Sequence, residues 1–139
     1  HEIYELKNQH QNIGLGMIGE LITPVDEKDF LLFVKEKMQA EGIRHSMFLG
    51  KKIKKIAVLG GAGSFAIKNA IQAGADAYLT ADLKYHEFYQ AENELLLADI
   101  GHFESERDTK NYIVEYLRKK ILNFAVILSE ENSNPVKYL

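Results

Sequence analysis

The sequence contains no cysteine, no tryptophan and only two prolines, and it has no apolar run of the roughly 20 residues that span a bilayer. Without cysteine there can be no disulfide, thiolate nucleophile or Cys-ligated zinc, so any metal site must use histidine and carboxylate ligands. Neither positive nor negative charge is in large excess, because the sequence has 17 Lys and Arg residues and 20 Asp and Glu residues, which gives a net charge of −3. These features argue against membrane and nucleic-acid-binding proteins, and with no export signal they predict a cytoplasmic protein.

The composition predicts one globular domain. The 139 residues are 46% hydrophobic and 27% charged, which suits a single packed core. Short apolar strands alternate with helical patterns from residue 51 onward, and this alternation is typical of an α/β fold. We therefore predict a mostly parallel sheet that is flanked on both faces by helices, in one domain over residues 1–139.

The individual elements follow from apolar periodicity. The most continuous apolar segments, at 55–59, 76–80 and 95–99, predict the central strands. In the first part of the chain we expect an edge strand before Pro24, a helix from the candidate N-cap Asp26 to Gly42 and a strand-like segment over 43–50. In the second part we expect a short helix over Lys84 to Asn93, a helix from Glu104 or Ser105 to Lys120 and a last strand over Phe124 to Leu128. The apolar residues expected on the inner face of the longer helix are Ile113, Val114, Leu117 and Ile121.

Two glycine-rich motifs invite a nucleotide-binding interpretation. The first, GLGMIG at 14–19, matches G-x-G-x-x-G, but an apolar segment and Pro24 follow where dinucleotide binding needs a helix. We interpret it as a bend in a strand. The second, GGAGS at 60–64, follows an apolar strand and opens a helix, so it could hold an anion at the helix start. The alternative is a tight turn whose glycines let the helix and strand pack closely.

Polar side chains follow two successive predicted strands. LTADLKYHEF at 79–88 contains His86, and LADIGHFESE at 97–106 contains His102 and Glu106. The carboxyl ends of parallel strands meet at one rim, so we expect these three side chains to approach one another. His102 and Glu106 are four positions apart, so if this turn is helical they lie on one face and can bind one ion. The alternative is an ordinary surface pair.

Taken in order, these motifs resemble the Nif-three-like family, whose members are called GTP cyclohydrolase I type 2 homologues. The resemblance covers almost the whole chain and rests on Gly14–Gly19, Gly60–Ser64, Ala75–Asp82, Lys84–His86 and Asp99–Glu106. It implies a three-layer α/β domain. Family members are longer, so we expect this chain to be the C-terminal half of a larger protein, which agrees with its first residue being His1 rather than Met.

The resemblance also implies a dinuclear metal site built from both halves. Its C-terminal ligands correspond to His102 and Glu106, while a histidine near the metals corresponds to His86, as proton shuttle or substrate contact. Imidazole and carboxylate ligands favour Zn, Mn or Fe, with two ions per full-length subunit. With half the site, the chain alone should bind metal poorly and be inactive. Ala81 stands where the family has glycine, which is harmless only if its backbone φ is negative.

Three functions remain open at this point. The first is a metal-dependent, hydrolase-like protein with an unknown small-molecule substrate. The second is a non-catalytic metal-binding scaffold or regulatory module that acts through oligomerisation. Nucleotide binding at 60–64 without metal ranks last. Because family members resemble ring-like homo-oligomers and a missing half would leave apolar surface exposed, we expect self-association.

Overall fold

The structure is a computed structural model, and it describes residues 4–5, 14–91 and 93–139. The strands are β1 (Tyr4–Glu5), β2 (Gly14–Leu15), β3 (Met17–Asp26), β4 (Arg44–His45), β5 (Lys52–Ala62), β6 (Ala77–Ala81) and β7 (Leu96–Asp99). The helices are α1 (Glu27–Met38), α2 (Ile67–Gln72), α3 (His102–Glu106) and α4 (Thr109–Lys120), with 3₁₀ turns at Ser64–Ala66 and Tyr85–Ala91. Among the described residues, none of the helices combines the length and apolar character that crossing a membrane requires.

Five of the strands form one sheet in the order β3-β5-β6-β7-β4. The central strands β5, β6 and β7 are parallel, while β3 and β4 run antiparallel at the two edges. Leu79 of β6 lies opposite Ala98 of β7, which confirms that the predicted strands 76–80 and 95–99 share a sheet. β1 and β2 form a separate two-stranded antiparallel ribbon. The predicted α/β fold is confirmed, with its parallel part confined to the centre.

The sheet is covered on both faces. Every residue of β6 and β7 is buried, because alternate side chains enter two different clusters. Tyr78 and Leu97 pack with α2 in one cluster, and Leu79 and Leu96 pack with α1 in the other. Double coverage explains why these strands are continuously apolar in the sequence.

The beginning of α1 is where the sequence predicts it, but the cap differs. Asp26 forms no side-chain capping bond and instead pairs with Lys52, Oδ2 to Nζ at 2.8 Å. The carboxylate of Glu27 accepts the backbone N–H groups of Leu49 at 2.8 Å and Gly50 at 2.9 Å. It thereby fixes the segment before β5 to the start of the helix.

Three predicted elements are shorter or different in kind. The strand-like segment 43–50 forms a strand only at Arg44–His45, and the helix predicted over 84–93 is the 3₁₀ turn Tyr85–Ala91. The helix predicted from 104 or 105 to 120 is two helices, α3 and α4. Asp108 is the N-cap residue of α4, because Asp favours helix starts over interiors, and its Oδ1 accepts the side-chain amide of Asn111 at 3.1 Å.

The prediction of a last strand over Phe124 to Leu128 is wrong. This apolar segment has irregular backbone and pairs with neither edge of the described sheet. A strand needs a neighbour for its backbone N–H and C=O groups, and here Arg118 binds the carbonyl of Val126 instead. The predicted inner face of α4 is also wrong, since no residue of α4 is buried.

Candidate metal site

The candidate site lies at the carboxyl ends of β6 and β7. Asp82 follows β6 directly, and His102 begins α3 three positions after β7 ends. Asp99, the last residue of β7, ties the two strand ends together. Its Oδ1 accepts the N–H of Gly101 at 3.0 Å, and its Oδ2 accepts the N–H of Leu83 at 2.9 Å and the guanidinium of Arg44. In the sequence, an acidic residue at the end of an apolar run is the signal that could have indicated this role.

The imidazole of His102 lies between two carboxylates. Its Nδ1 is 2.6 Å from Oδ2 of Asp82, and its Nε2 is 3.2 Å from Oε2 of Glu106. A proton on Nδ1 that is donated to Asp82 leaves the Nε2 lone pair facing Glu106. Histidines that bind a metal through one ring nitrogen commonly donate the N–H of the other ring nitrogen to a carboxylate, and His102 has this arrangement.

Asp82 and Glu106 also set the charge of the site. The hydrogen bond to Asp82 raises the pKa of His102 above its usual value, and Glu106 adds to the effect, whereas desolvation partly opposes it. Two carboxylates that stabilise an imidazolium create a negative potential that attracts cations in general. The site is therefore electrostatically suited to a metal cation, which competes with the proton.

Asp82 reaches His102 through an unusual backbone conformation. Its φ is +56°, in the left-handed region that Asp enters more readily than most residues. Ala81, where the resemblance implies glycine, is the buried last residue of β6, and its backbone φ is not positive. The departure from the family pattern is therefore harmless, because the left-handed turn falls one residue later.

The carboxyl end of β5 packs against α3. Gly61 has φ +69°, and a Cβ there would lie 2.6 Å from Oε1 of Glu106 and 3.4 Å from Cε1 of His102. Its N–H donates to Oγ of Ser105 at 2.8 Å, and that hydroxyl donates to the carbonyl of His102 at 2.8 Å. Gly63 likewise leaves no room for a methyl, which would overlap Oγ1 of Thr80. Close packing accounts for both glycines, and the sequence did not reveal that Gly61 makes room for the His102–Glu106 pair.

The structure thus brings His102 and Glu106 together and adds Asp82, which sequence reasoning did not assign to the site. Asp82 and His102 are 20 positions apart, so no local spacing could reveal their contact. His86 is exposed in the 3₁₀ turn after β6, with its ring edge on Tyr85 at 5.2 Å between centroids. It forms no hydrogen bond or ion pair with His102 or Glu106, and its predicted role stays a prediction.

A cavity of about 820 Å³ opens beside Asp82, His102 and Glu106. Its size is in the range of small-molecule sites. Asp82, His102 and Glu106 line it together with Arg44, Arg107 and Lys110 and with part of the C-terminal tail, including Asn134 and Tyr138. The candidate ligands therefore face a space that could hold a small molecule.

The profile of the Duf34/NIF3 (NGG1p interacting factor 3) family matches residues 1–135. The chain belongs to this family. It is similar to the GTP cyclohydrolase 1 type 2 homolog of Bacillus subtilis (strain 168), with 33% identity over 144 residues that cover 100% of this chain and 38% of that protein. The resemblance found in the motifs is confirmed.

Solved structures agree with the NIF3 family assignment. A Bacillus cereus protein related to NIF3 superposes with a TM-score of 0.79 and 30% identity over 96% of this chain and 38% of its own. The Staphylococcus aureus protein SA1388 gives a TM-score of 0.79 and 29% identity over 91% of this chain and 42% of its own. The chain thus spans less than half the length of these relatives.

The donor set in this NIF3 chain can be tested against a metal ion. Bonds of about 2.0–2.2 Å to imidazole nitrogen and carboxylate oxygen place two ligands of one ion roughly 3–3.5 Å apart. The 3.2 Å separation of His102 Nε2 and Glu106 Oε2 fits this requirement. Within residues 4–5, 14–91 and 93–139, however, no group of three or more His, Asp or Glu side chains could hold a metal ion. The pair fits an ion as two of its ligands and does not form a complete shell.

Proposed function

We propose that this chain supplies one part of a divalent-metal centre in a hydrolase-like protein of the NIF3 family. The ligands are Nε2 of His102 and the carboxylate of Glu106. The observation that supports this most directly is the position of His102 between two carboxylates, with Nδ1 bound to Asp82 and Nε2 facing Glu106 at 3.2 Å. The cavity next to the pair gives a small-molecule substrate access to it.

Each residue of the site has a separate task in this proposal. Asp82 holds the imidazole in the tautomer that leaves Nε2 unprotonated, while Gly61 leaves space for the Glu106 carboxylate. A bound divalent ion supplies Lewis-acid chemistry that activates water for hydrolysis. His86, in the turn that leaves the same end of β6, acts as a proton shuttle or substrate contact.

The ion is Zn, Mn or Fe, since one imidazole and one carboxylate suit these metals. Catalytic zinc centres normally take three protein ligands, and a second ion takes more. The remaining ligands therefore come from outside this chain, in a protein of the relatives' length that binds two ions per subunit. The chain alone binds metal weakly and does not turn over substrate.

Calorimetric titration of the chain with Zn²⁺ and Mn²⁺ at neutral pH tests this proposal. We expect binding weaker than about micromolar that is lost in His102→Ala and Glu106→Gln. Two matched controls, His45→Ala and the exposed Glu115→Gln, should bind as the unmodified chain does. Affinity that is unchanged in His102→Ala contradicts the ligand assignment. Submicromolar binding that vanishes in His102→Ala contradicts the need for ligands from outside the chain.

A second candidate function, a non-catalytic metal-binding scaffold that forms homo-oligomers, has its own support. Large apolar side chains are exposed along α4 and the segment after it, among them Tyr112, Leu122, Phe124 and Ile127 at 71% or more. Such a surface favours association. A full-length family protein that carries this chain separates the two candidates. Turnover in the metal-loaded state supports the hydrolase, whereas a defined metal-loaded oligomer without turnover on any tested substrate supports the scaffold.

A further inference from the structure

The C-terminal tail returns to the candidate metal site. After α4 ends at Lys120, the chain has no regular structure, yet Ser133, Asn134, Val136 and Tyr138 line the same cavity as His102. A Cβ at Gly42 would touch the ring of Tyr138, with the nearest atom at 3.7 Å. The tail is therefore packed against the domain at this rim.

Asn134 uses both ends of its amide, one within the tail and one to connect the tail to α3. Oδ1 accepts the N–H of Val136 at 3.0 Å, which closes a local turn, and Nδ2 donates to Oε1 of Glu104 at 3.2 Å. The two bonds fix the orientation of the amide, because only its nitrogen can donate. Aspartate at this position could keep the bond to Val136 but would place an oxygen against Glu104.

Glu104 is the residue of α3 that receives this bond. It lies between His102 and Glu106 in the chain and is only 6% exposed, which is unusual for a carboxylate. On its other side, a Cβ at Gly101 would overlap Oε2, so the carboxylate packs against the backbone that leads into His102. Any shift of Glu104 therefore moves the short helix that carries both candidate ligands.

We propose that Asn134 is a positioning residue of the metal site: its amide holds Glu104 and, through it, the five-residue helix that presents His102 and Glu106. The metal part of this inference rests on the proposed function, whereas the ordering of α3 by the tail does not. Buried carboxylates need hydrogen-bond donors, and Asn134 supplies the one side-chain donor that the described residues offer to Glu104.

The experiment exchanges the donor and the acceptor of the hydrogen bond between Asn134 and Glu104. Asn134→Asp removes the donor but keeps the shape and the acceptor for Val136. Asn132→Asp is the matched control, because Oδ1 of Asn132 accepts the N–H of Asn134 at 3.0 Å and aspartate can accept it equally well. The double variant Asn134→Asp with Glu104→Gln restores a donor–acceptor pair in reverse. All proteins are compared with the unmodified chain.

Two readouts are measured on each protein. The first, without metal, is amide hydrogen exchange at Ser105 and Arg107, whose N–H groups bind the carbonyls of Gly101 and Phe103 within the α3 turn. The second is Zn²⁺ affinity by calorimetry. We expect Asn134→Asp to exchange about fivefold faster and to bind Zn²⁺ about tenfold more weakly. Asn132→Asp and the double variant should each remain within about twofold of the unmodified chain.

The outcomes are distinguishable. If Asn134→Asp behaves as Asn132→Asp does in both readouts, the positioning role is overturned. If Asn134→Asp is impaired and the double variant stays impaired, the effect comes from added charge or a loosened tail, and the role is again overturned. If the unmodified chain binds no Zn²⁺ at any concentration, the proposed function fails, and the exchange rates alone decide whether Asn134 positions α3.

Discussion

Two regions of this chain that are rich in apolar residues have opposite burial. In the sheet, every residue of β6 and β7 is buried because helices cover both faces. In α4 and the segment up to residue 128 no large apolar side chain is buried, and Leu122 and Ile127 are each 85% exposed. The difference shows that an apolar segment favours burial against another surface but does not itself provide that surface. Within the described residues, only the first region is packed in this way.

Truncation of a core leucine should produce the largest effect and tests the comparison most strongly. Leu96→Ala in β7 removes a fully buried side chain, and we expect it to lower the free energy of unfolding by about 3 kcal/mol. Leu122→Ala after α4 is the matched control, with an expected change within about 0.5 kcal/mol. Urea denaturation measures both. Equal losses would mean that the second region is also packed in solution.

Gly61→Ala should have the next largest effect, because it combines strain with a clash at the site. Gly61 and Gly50 both have φ +69°, but only at Gly61 would a Cβ meet Glu106. We expect Gly50→Ala to cost about 1–2 kcal/mol of unfolding free energy from the left-handed conformation alone. Gly61→Ala should cost more and should also abolish Zn²⁺ binding. Unchanged Zn²⁺ affinity in Gly61→Ala would contradict the role of this glycine.

Tyr78 gives the first region a measurable pH signature. Burial raises the pKa of Tyr78 to about 12, and its hydroxyl donates to the carbonyl of Gly63 at 2.8 Å. Since the unfolded pKa is near 10, this contribution to stability is complete below pH 10 and is lost as the pH rises through about 12. Ultraviolet titration should show a late ionisation step that disappears in Tyr78→Phe and persists in Tyr112→Phe. A step near pH 12 that survives Tyr78→Phe would refute the assignment.

Substitutions in the second region should change stability least but association most. We expect the chain to form at least a dimer. The double variant Leu122→Ser with Phe124→Ser should shift it toward monomer, while its free energy of unfolding should change by less than about 0.5 kcal/mol. Light scattering over a range of concentrations measures this. Ile22→Ser in β3, which replaces an exposed apolar side chain outside this region, serves as the control. A chain that is monomeric at high concentration would show that the exposed surface has no partner in a second copy.

The sequence correctly predicted the strands and the helix that can be recognised from the order of their own apolar and polar residues. Continuous apolar runs gave β6 and β7 because such runs are typical of strands covered twice, and the 3.6-residue period gave α1. The segment from Phe124 to Leu128 is also apolar but has no neighbouring strand among the described residues, so the same pattern predicted a strand that does not form. Pairing depends on the rest of the fold, which a local pattern does not contain.

The candidate site was predictable to a similar extent. The four-residue spacing of His102 and Glu106 was sufficient to join them, because α3 begins at His102, earlier than the helix start predicted at Glu104 or Ser105. The contact of Asp82 with His102 was not predictable, because it spans 20 positions and depends on a positive φ at Asp82. The family resemblance supplied the direction of the hypothesis, and the structure supplied the third side chain.

The central claim is that Nε2 of His102, oriented by Asp82, is a metal ligand together with Glu106. Its most direct test is a Zn²⁺ titration of the chain followed by nitrogen NMR of the histidine rings and carbon NMR of the carboxylates. We predict that Zn²⁺ shifts Nε2 of His102 and the Glu106 carboxylate first, while Nδ1 of His102 keeps its proton and His45 is unaffected. Zn²⁺ that displaces the Nδ1 proton, or that shifts His45 before His102, would contradict the account.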